Sequence, residues 1–209
     1  MRCEVAAAVT AANVAGELTV PARKSASVKH VALLRGINVG KAKRIAMADL
    51  RKLCEGLGYE DVSTLLNSGN IVFSAPRADP RAAAKIQKGI ASRLGVSCRV
   101  IVLTGDELDQ VVAENPIAEG ESNPPRFLVM VLANATDRAR VADLATQDFG
   151  VERVGLGTYA AYLWCANGIL ESRALLAIGK VLGDAGTSRN WATIKKLHAL
   201  TREGPSARA

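Results

Sequence analysis

The sequence predicts an α+β protein made of two ferredoxin-like (βαββαβ-type) subdomains with antiparallel sheets, followed by a C-terminal helix. In the first half of the 209 residues, β-rich runs and amphipathic stretches follow the order strand, helix, strand, strand, helix, strand. This order is typical of the ferredoxin-like pattern. The second half repeats it as far as a second helix, and then shows a helical pattern where the last strand is expected. The two halves share this order without similarity in sequence.

Three signals define the beginning of the first half. Residues 29–35 form a short apolar run that predicts a buried strand, and Gly36 ends it. Apolar residues between 47 and 57 recur at the spacing of a helix. The sequence Asn-Ser-Gly-Asn at 67–70 separates two β-rich runs, and these residue types tolerate the positive φ angles of a tight turn. We therefore expect a strand, a helix and a β-hairpin.

Capping signals define the rest of the first half. Asp79 is typical of a residue at the start of a helix, and an apolar helix face continues over 83–94. The β-branched run at 98–103 predicts the next strand. Thr104 and Glu107 have the spacing of a capping box, in which each side chain satisfies a backbone N–H at the helix start. The first half thus ends with a strand and a third helix.

The second half is predicted from the same types of signal. Asn190 is a residue type that commonly caps helices, and an apolar face follows it from Trp191 onwards, which predicts the C-terminal helix. The preceding predicted elements are a strand at 126–133, a helix capped by Thr136 and Asp137, a hairpin of 151–155 and 158–165, and a helix over 175–182.

Proline content and local composition indicate the domain organisation. The segment 115–125 contains three prolines and joins the two halves. The apolar stretch 6–15 is too short and too weakly flanked by charge for a secretion signal. We expect a poorly ordered N-terminal extension at 1–28, subdomains at 29–114 and 126–201, a linker at 115–125 and a tail at 202–209.

The composition excludes several classes of protein. Hydrophobic residues make up 49% of the chain and charged residues 22%, which is typical of a folded globular protein rather than a disordered one. The apolar runs are far shorter than the roughly 20 residues of a membrane helix. Four cysteines lie far apart and only two histidines are present, so the spacing predicts neither a zinc site nor a disulfide framework. We expect a cytoplasmic protein without a metal or another cofactor.

Positive charge is concentrated around the first loop. The formal net charge is +7, and over 35–52 six lysines and arginines face one acidic residue, Asp49. Such a patch attracts phosphate groups and nucleic acids through long-range electrostatic forces. A solvated surface that only improves solubility has the same composition, so charge alone leaves both interpretations open.

Three segments contain the candidate ligand-binding residues. The loop after the first strand contains two glycines, Asn38 and several cations, and its backbone N–H groups are able to surround an anion, although it lacks the spacing of a P-loop. Asn67, Ser68 and Asn70 could bind a ligand or only stabilise their own turn, and the second role is favoured. In the third segment, we expect an exposed Arg189 beside a helix N-terminus, which suits phosphate binding.

Three motifs resemble one bacterial family. The segment His-Val-Ala-Leu-Leu-Arg-Gly-Ile-Asn-Val-Gly at 30–40, the turn Asn-Ser-Gly-Asn-Ile-Val-Phe at 67–73 and Thr-Ser-Arg-Asn-Trp at 187–191 are similar to those of domain-of-unknown-function family 1697. The resemblance covers the chain between residues 29 and 201. It implies a cytoplasmic α+β protein with two ferredoxin-like subdomains, and it implies no established activity.

The chain departs from the family pattern at two positions. Lys41 follows Gly40 where the family usually has a second glycine, and Arg173 follows Ser172 where the family usually has a lysine. Both changes keep or add positive charge, so an anion site is compatible with them. A catalytic lysine at position 173 is excluded, because a guanidinium group does not lose its proton near neutral pH.

These residues predict a protein that binds a phosphate-bearing partner, a nucleic acid or a nucleotide, in a basic cleft between the subdomains. An enzyme acting on a small phosphorylated or nucleotide substrate is the second hypothesis, with Ser68, Ser188 or a bound water as the reacting group. A homodimerising interaction module is the third. No membrane partner is expected. The predicted ligand-binding residues are Arg35, Gly36, Asn38, Lys41, Lys43, Asn67, Ser68, Asn70, Arg173, Ser188, Arg189 and Asn190.

Overall fold

The computed structural model describes residues 27–40 and 43–203, in which the chain forms eight β-strands and seven α-helices. The strands are β1 (Val28–Leu34), β2 (Glu60–Leu65), β3 (Asn70–Ala75), β4 (Val100–Thr104), β5 (Phe127–Leu132), β6 (Arg153–Leu156), β7 (Ala160–Trp164) and β8 (Gly186–Asn190). The helices are α1 (Met47–Glu55), α2 (Ala82–Leu94), α3 (Gly105–Ala113), α4 (Glu119–Ser122), α5 (Ala135–Arg140), α6 (Arg173–Leu182) and α7 (Trp191–Arg202). Lys41 and most of the predicted N-terminal extension and tail lie outside the described residues.

Each half of the chain forms a four-stranded antiparallel sheet. The first sheet has the strand order β2-β3-β1-β4, and the second has the order β6-β7-β5-β8. In both, the first strand of the half lies in the centre, between the third and the fourth, as in the ferredoxin-like pattern. The predicted α+β fold with two ferredoxin-like subdomains and a C-terminal helix is confirmed.

Side chains alternate between the two faces of each sheet, as the pleat of a strand requires. On β1, Ala32 and Leu34 pack in one core with α1 and α2, whereas Val31 and Leu33 belong to a second core. The second core also contains residues of β5, β7, α3 and α7, so it lies between the two sheets. A third core fills the space between the second sheet and α6. One face of each sheet therefore contributes, together with α3 and α7, to a single apolar core.

Most local signals correspond to elements of the structure. Thr104 and Glu107 form both hydrogen bonds of the capping box at α3. The Asn190 side chain accepts a hydrogen bond from the backbone N–H of Thr193 and caps α7. One cap was predicted at the wrong residue: Asn134, rather than Thr136, begins α5. The predicted linker contains the short helix α4 and a 3-10 turn.

The last strand of the second half, which the sequence pattern did not indicate, is present as β8. Its sequence, Gly-Thr-Ser-Arg-Asn, has no apolar run, but it pairs with β5 along its whole length. Because the strand ends at Asn190 and α7 begins at the next residue, the helical signal masked it. Polar residues are able to occupy this buried position only because they are hydrogen-bonded there.

Gly69 tests how tightly the turn between β2 and β3 packs. Its φ is +78°, and a Cβ atom would lie 2.7 Å from Ile37 Cδ1 and 2.8 Å from Leu34 Cβ. We expect Gly69→Ala to lower the free energy of unfolding by about 2 to 4 kcal/mol, because a left-handed backbone and a steric clash are combined. Urea denaturation measures this loss.

Gly58→Ala is the matched control. Gly58 has a φ of +88°, and nothing lies within 4 Å of a Cβ atom placed there. In this variant the free energy of unfolding should decrease only by the cost of the left-handed backbone conformation, about 1 to 2 kcal/mol. Equal losses for the two variants would contradict the close packing of Gly69.

Candidate functional site

Arg189 is the most deeply buried charged side chain of the predicted site. It lies on β8 opposite Val129 of β5, and only 8% of its surface is exposed. Its guanidinium makes six hydrogen bonds, all to neutral acceptors. Burial lowers the pKa of Arg189 to about 10, so the side chain remains a cation at neutral pH. The expectation of an exposed Arg189 is wrong, because its strand directs it towards the space between the sheets.

The partners of Arg189 belong mainly to the other subdomain. One Nη atom donates to the carbonyl oxygens of Leu34 at 2.7 Å, of Ser68 at 3.0 Å and of Gly69 at 3.3 Å. Nε donates to Oδ1 of Asn70. These atoms lie at the end of β1 and in the turn before β3. Arg189 therefore contacts the motifs at 30–40 and 67–73, as the prediction of a shared site requires. These contacts connect the two subdomains inside the protein and do not form an exposed ligand site.

The asparagines of the predicted site also bond within the protein. Asn38 donates to the carbonyl oxygens of Ile45 at 3.0 Å and of Asn67 at 2.8 Å, and its Oδ1 accepts from the N–H of Ile45 at 2.9 Å. Asn70 is fully buried and donates to the carbonyl oxygen of Leu65 and to Oγ of Ser68. Hence Asn38 and Asn70 hold the first loop and the hairpin turn in place.

Arg35 is a second connection between the subdomains. One of its Nη atoms donates to the carbonyl oxygen of Gly186, at the start of β8. Its Nε lies 3.3 Å from Oδ1 of Asp184. Its own backbone N–H donates to the carbonyl oxygen of Arg99 at 2.9 Å, which places these two arginines opposite each other.

A cavity of about 340 Å³ opens beside Arg35, and we call it the cationic cleft. Two loops of the first subdomain form one side of it, and the segment between α6 and β8 forms the other. Three of its lining side chains are cations and one is a carboxylate. The residues of the cationic cleft are Arg35, Gly36, Lys43, Ser97, Cys98, Arg99 and Asp184.

Positive charge in the cationic cleft is only partly balanced. The Asp184 side chain is 93% exposed, so water and salt weaken its attraction to Arg35. Neither Lys43 nor Arg99 makes an ion pair within the part of the chain that the structure describes. Burial raises the pKa of the Cys98 thiol and outweighs the opposite effect of Lys43, so this thiol is protonated at neutral pH.

Some predicted residues lie away from the cationic cleft. Arg173 is exposed at the start of α6, and Asp184 follows the other end of that helix, about 15 Å further along. Ser188 pairs with Met130 and thus lies on the face of β8 opposite to Arg189. Asn190 is occupied as the cap of α7.

The serines of the enzyme hypothesis have no adjacent general base among the described residues. In the described residues, neither Ser68 nor Ser188 forms a hydrogen bond through its hydroxyl group with a histidine or a carboxylate. Burial raises the pKa of the Cys54 thiol to about 12. Over residues 27–40 and 43–203, no group of three or more His, Cys, Asp or Glu residues is arranged to hold a metal ion.

The cleft contains two residues that the sequence analysis missed, Arg99 and Asp184. Arg99 could have been found from the topology, because β1 and β4 are neighbours in a ferredoxin-like sheet and run in opposite directions. The residue after β1 must therefore lie opposite the residue before β4. Nothing in the sequence marks Asp184, which comes close to Arg35 only when the subdomains pack together.

A second cavity, which we call the edge groove, extends along the outer edge of β4. Its volume is about 660 Å³, and Arg99 lines it as well as the cationic cleft. The start of α2 forms one wall of the groove, and the loop after β5 forms the other. The residues of the edge groove are His30, Ala78, Asp79, Pro80, Ala83, Ala84, Gln87, Arg99, Val100, Ile101, Val102, Thr104, Glu107, Ala133 and Asn134.

Comparisons with known proteins identify a family and a fold. The family model DUF1697, described as a protein of unknown function, matches residues 28–162. No curated protein is significantly similar to the chain. A solved structure, described as conserved bacterial protein SP0830 from Streptococcus pneumoniae, is similar with a TM-score of 0.71 and 22% sequence identity. The similarity covers 85% of this chain and 100% of that one. None of the helices in the described residues is long and apolar enough to cross a membrane.

Removal of the Arg189 side chain should strongly destabilise the protein. In Arg189→Met, the carbonyl oxygen of Leu34 and Oδ1 of Asn70 lose their donor, whereas the carbonyl oxygen of Gly69 keeps the N–H of Leu34. Each unsatisfied buried group costs about 1 to 3 kcal/mol, so we expect a loss of about 2 kcal/mol or more in the free energy of unfolding, measured in urea. The control is Arg126→Met, because exposed Arg126 bonds to one carbonyl oxygen, that of Ala166. A loss below about 1 kcal/mol for Arg189→Met would contradict the structural role.

Acidification should destabilise the protein through His30. The ring is buried, its Nδ1 donates to the carbonyl oxygen of Val28, and its Nε2 accepts from the N–H of Asp79. Desolvation lowers the pKa of His30 below 6.5, although contacts with the Val28 carbonyl and two carboxylates oppose this effect. Below about pH 6.5 the unfolded chain therefore binds a proton at His30 more readily than the folded protein does. As the pH is lowered, the free energy of unfolding decreases.

The measurement is the free energy of unfolding in urea between about pH 7.5 and pH 5. The contribution of His30 has a slope of at most about 1.4 kcal/mol per pH unit, and His30→Gln should remove it. His198→Gln, at the other histidine of the chain, should retain it. Parallel pH profiles for wild type and His30→Gln would contradict this prediction.

Proposed function

The chain belongs to the DUF1697 family of proteins of unknown function, and since this membership assigns no activity, we propose a function from the cationic cleft. The cleft binds a phosphate-bearing ligand, a nucleotide or a nucleic acid, between the subdomains. The observation that supports this proposal is the convergence of Arg35, Lys43 and Arg99 on one cavity with a single carboxylate among its residues.

The chemistry of the lining residues suits phosphate. A guanidinium group is planar and donates two parallel hydrogen bonds to phosphate oxygens, and an ammonium group adds a compact positive charge. Arg99 and Lys43 have no carboxylate partner in the described residues, so an anion does not have to displace one. Among the residues that the structure describes in the cleft, Asp184 alone competes with an anion, and its exposure makes this competition weak.

The size of the cleft favours a phosphate group or a nucleotide as the part that enters it. Ligand cavities commonly have volumes of about 300 to 1,000 Å³, and the cleft, at about 340 Å³, lies near the lower limit. A nucleic acid would place one phosphate or one terminal nucleotide in the cleft and would extend beyond it.

A double variant tests the cleft. Lys43→Ala combined with Arg99→Ala should weaken the binding of inorganic pyrophosphate at least about tenfold, because each charge-assisted hydrogen bond contributes about 1.5 to 3 kcal/mol. Isothermal titration calorimetry measures this affinity. For a labelled single-stranded oligonucleotide, the logarithm of the affinity should fall with the logarithm of the salt concentration, with a slope of about −0.7 per phosphate contacted.

The matched control is Arg173→Ala combined with Lys180→Ala. It removes one arginine and one lysine from α6, and neither of them lines the cationic cleft. The control should bind pyrophosphate like the wild type. Equal affinities for all three proteins, or oligonucleotide binding that does not depend on salt, would exclude the proposed function.

A further inference from the structure

We infer that the ligand of the cationic cleft is an adenine nucleotide, whose base binds in the edge groove against the free edge of β4. This inference rests on the proposed function and adds the identity of the ligand. It starts from the observation that the two cavities share Arg99. A ligand that places its phosphates beside this side chain is therefore able to extend directly into the edge groove.

The pairing of β4 determines which of its backbone groups face the groove. Arg35 donates to the carbonyl oxygen of Arg99, so the backbone groups of Arg99 point towards β1. In an antiparallel pair, this orientation alternates from one residue to the next. Those of Val100, Val102 and Thr104 therefore point away from β1. Within residues 27–40 and 43–203, no strand pairs with the other side of β4.

Two of these outward N–H groups are already occupied. The N–H of Val100 donates to Oε1 of Gln87, at 3.3 Å, and the N–H of Thr104 donates to Oε2 of Glu107, at 2.7 Å. The N–H of Val102 has no such partner in the described residues. What the edge offers is one donor, at Val102, and the neighbouring carbonyl oxygens of Val100 and Val102.

This set of groups fits a base better than a peptide. The edge of adenine presents an amino donor beside a ring nitrogen acceptor, and proteins read such base edges by direct hydrogen bonds. The carbonyl oxygen of Val100 accepts from the amino group, and the N–H of Val102 donates to the ring nitrogen. A peptide strand would need a longer ladder of bonds, and Gln87 and Glu107 occupy the N–H groups on both sides.

The walls and the dimensions of the edge groove are also suitable. Pro80, Ala83 and Ala84 on one side and Ala133 on the other present small apolar surfaces to a flat ring. The volume of about 660 Å³ leaves room for a two-ring base and its ribose. Arg99 and Val102 are three residues apart on an extended strand, which is roughly 10 Å. That separation suits a nucleotide with its base at Val102 and its phosphates at Arg99.

The test compares ATP with inorganic tripolyphosphate, which lacks the base and the ribose, by isothermal titration calorimetry. Wild-type protein should bind ATP at least about tenfold more tightly, since two additional hydrogen bonds form. Val102→Pro removes the free N–H without affecting the pairing with β1, because an outward position on an edge strand tolerates proline. This variant should lose most of the preference for ATP and should bind tripolyphosphate like the wild type.

Val154→Pro is the matched control. Val154 lies on β6, at the edge of the second sheet, and its N–H points away from β7, because Gly157 and Ala160 form a hydrogen-bonded pair three residues further on. This variant should keep the preference for ATP. If Val102→Pro does not fold, hydrogen exchange of wild-type protein replaces it: ATP should protect the Val102 amide, and tripolyphosphate should not.

The outcomes separate the two proposals. Equal affinities for ATP and tripolyphosphate, or a Val102 amide that ATP does not protect, would overturn the adenine nucleotide while leaving a phosphate site in the cleft. If neither compound binds, the proposed function itself fails. Tighter binding of ATP that Val102→Pro does not reduce would also overturn the assignment of the base to the edge of β4.

Discussion

The burial of the Arg189 guanidinium is the interaction on which the rest of the structure depends. A cation taken out of water needs nearly all of its donors satisfied. Here the acceptors come from the end of β1, the turn before β3 and Asn70, and from Thr187 and Ser188 of its own strand. No carboxylate takes part in these six hydrogen bonds. The orientation of the two sheets is therefore restricted to one in which backbone carbonyls of the first subdomain surround a side chain of the second.

The cationic cleft is a consequence of this arrangement. With Arg189 in place, the start of β8 lies beside the first loop, where Arg35 reaches the carbonyl oxygen of Gly186 and Asp184. Asn38 holds the same loop through three hydrogen bonds. The residues that resemble the family motifs thus mainly form the contacts between the two subdomains. Lys43 and Arg99 lie beside these contacts, and neither forms an ion pair in the described residues.

Sequence reasoning succeeded where the signal was local. The capping box at Thr104, the cap at Asn190 and the turn at 67–70 each depend on residues within four positions of one another. It failed at β8, because a strand made of Gly, Thr, Ser, Arg and Asn carries no apolar periodicity and owes its position to pairing with β5. It also placed Arg189 at the surface, since charged side chains are rarely buried without an opposite charge.

The sequence by itself determined the elements, their order and hence the ferredoxin-like fold of each half, because periodicity, caps and turns act within short segments. Only the tertiary structure decided which cationic side chains are engaged in hydrogen bonds within the protein and which are available to a ligand. Arg35 and Arg189 look equivalent in the sequence, yet the packing of the sheets buries the second among carbonyl groups and brings Arg99 opposite the first. The reason is physical: whether a charge is buried depends on neighbours up to 155 positions away in the chain.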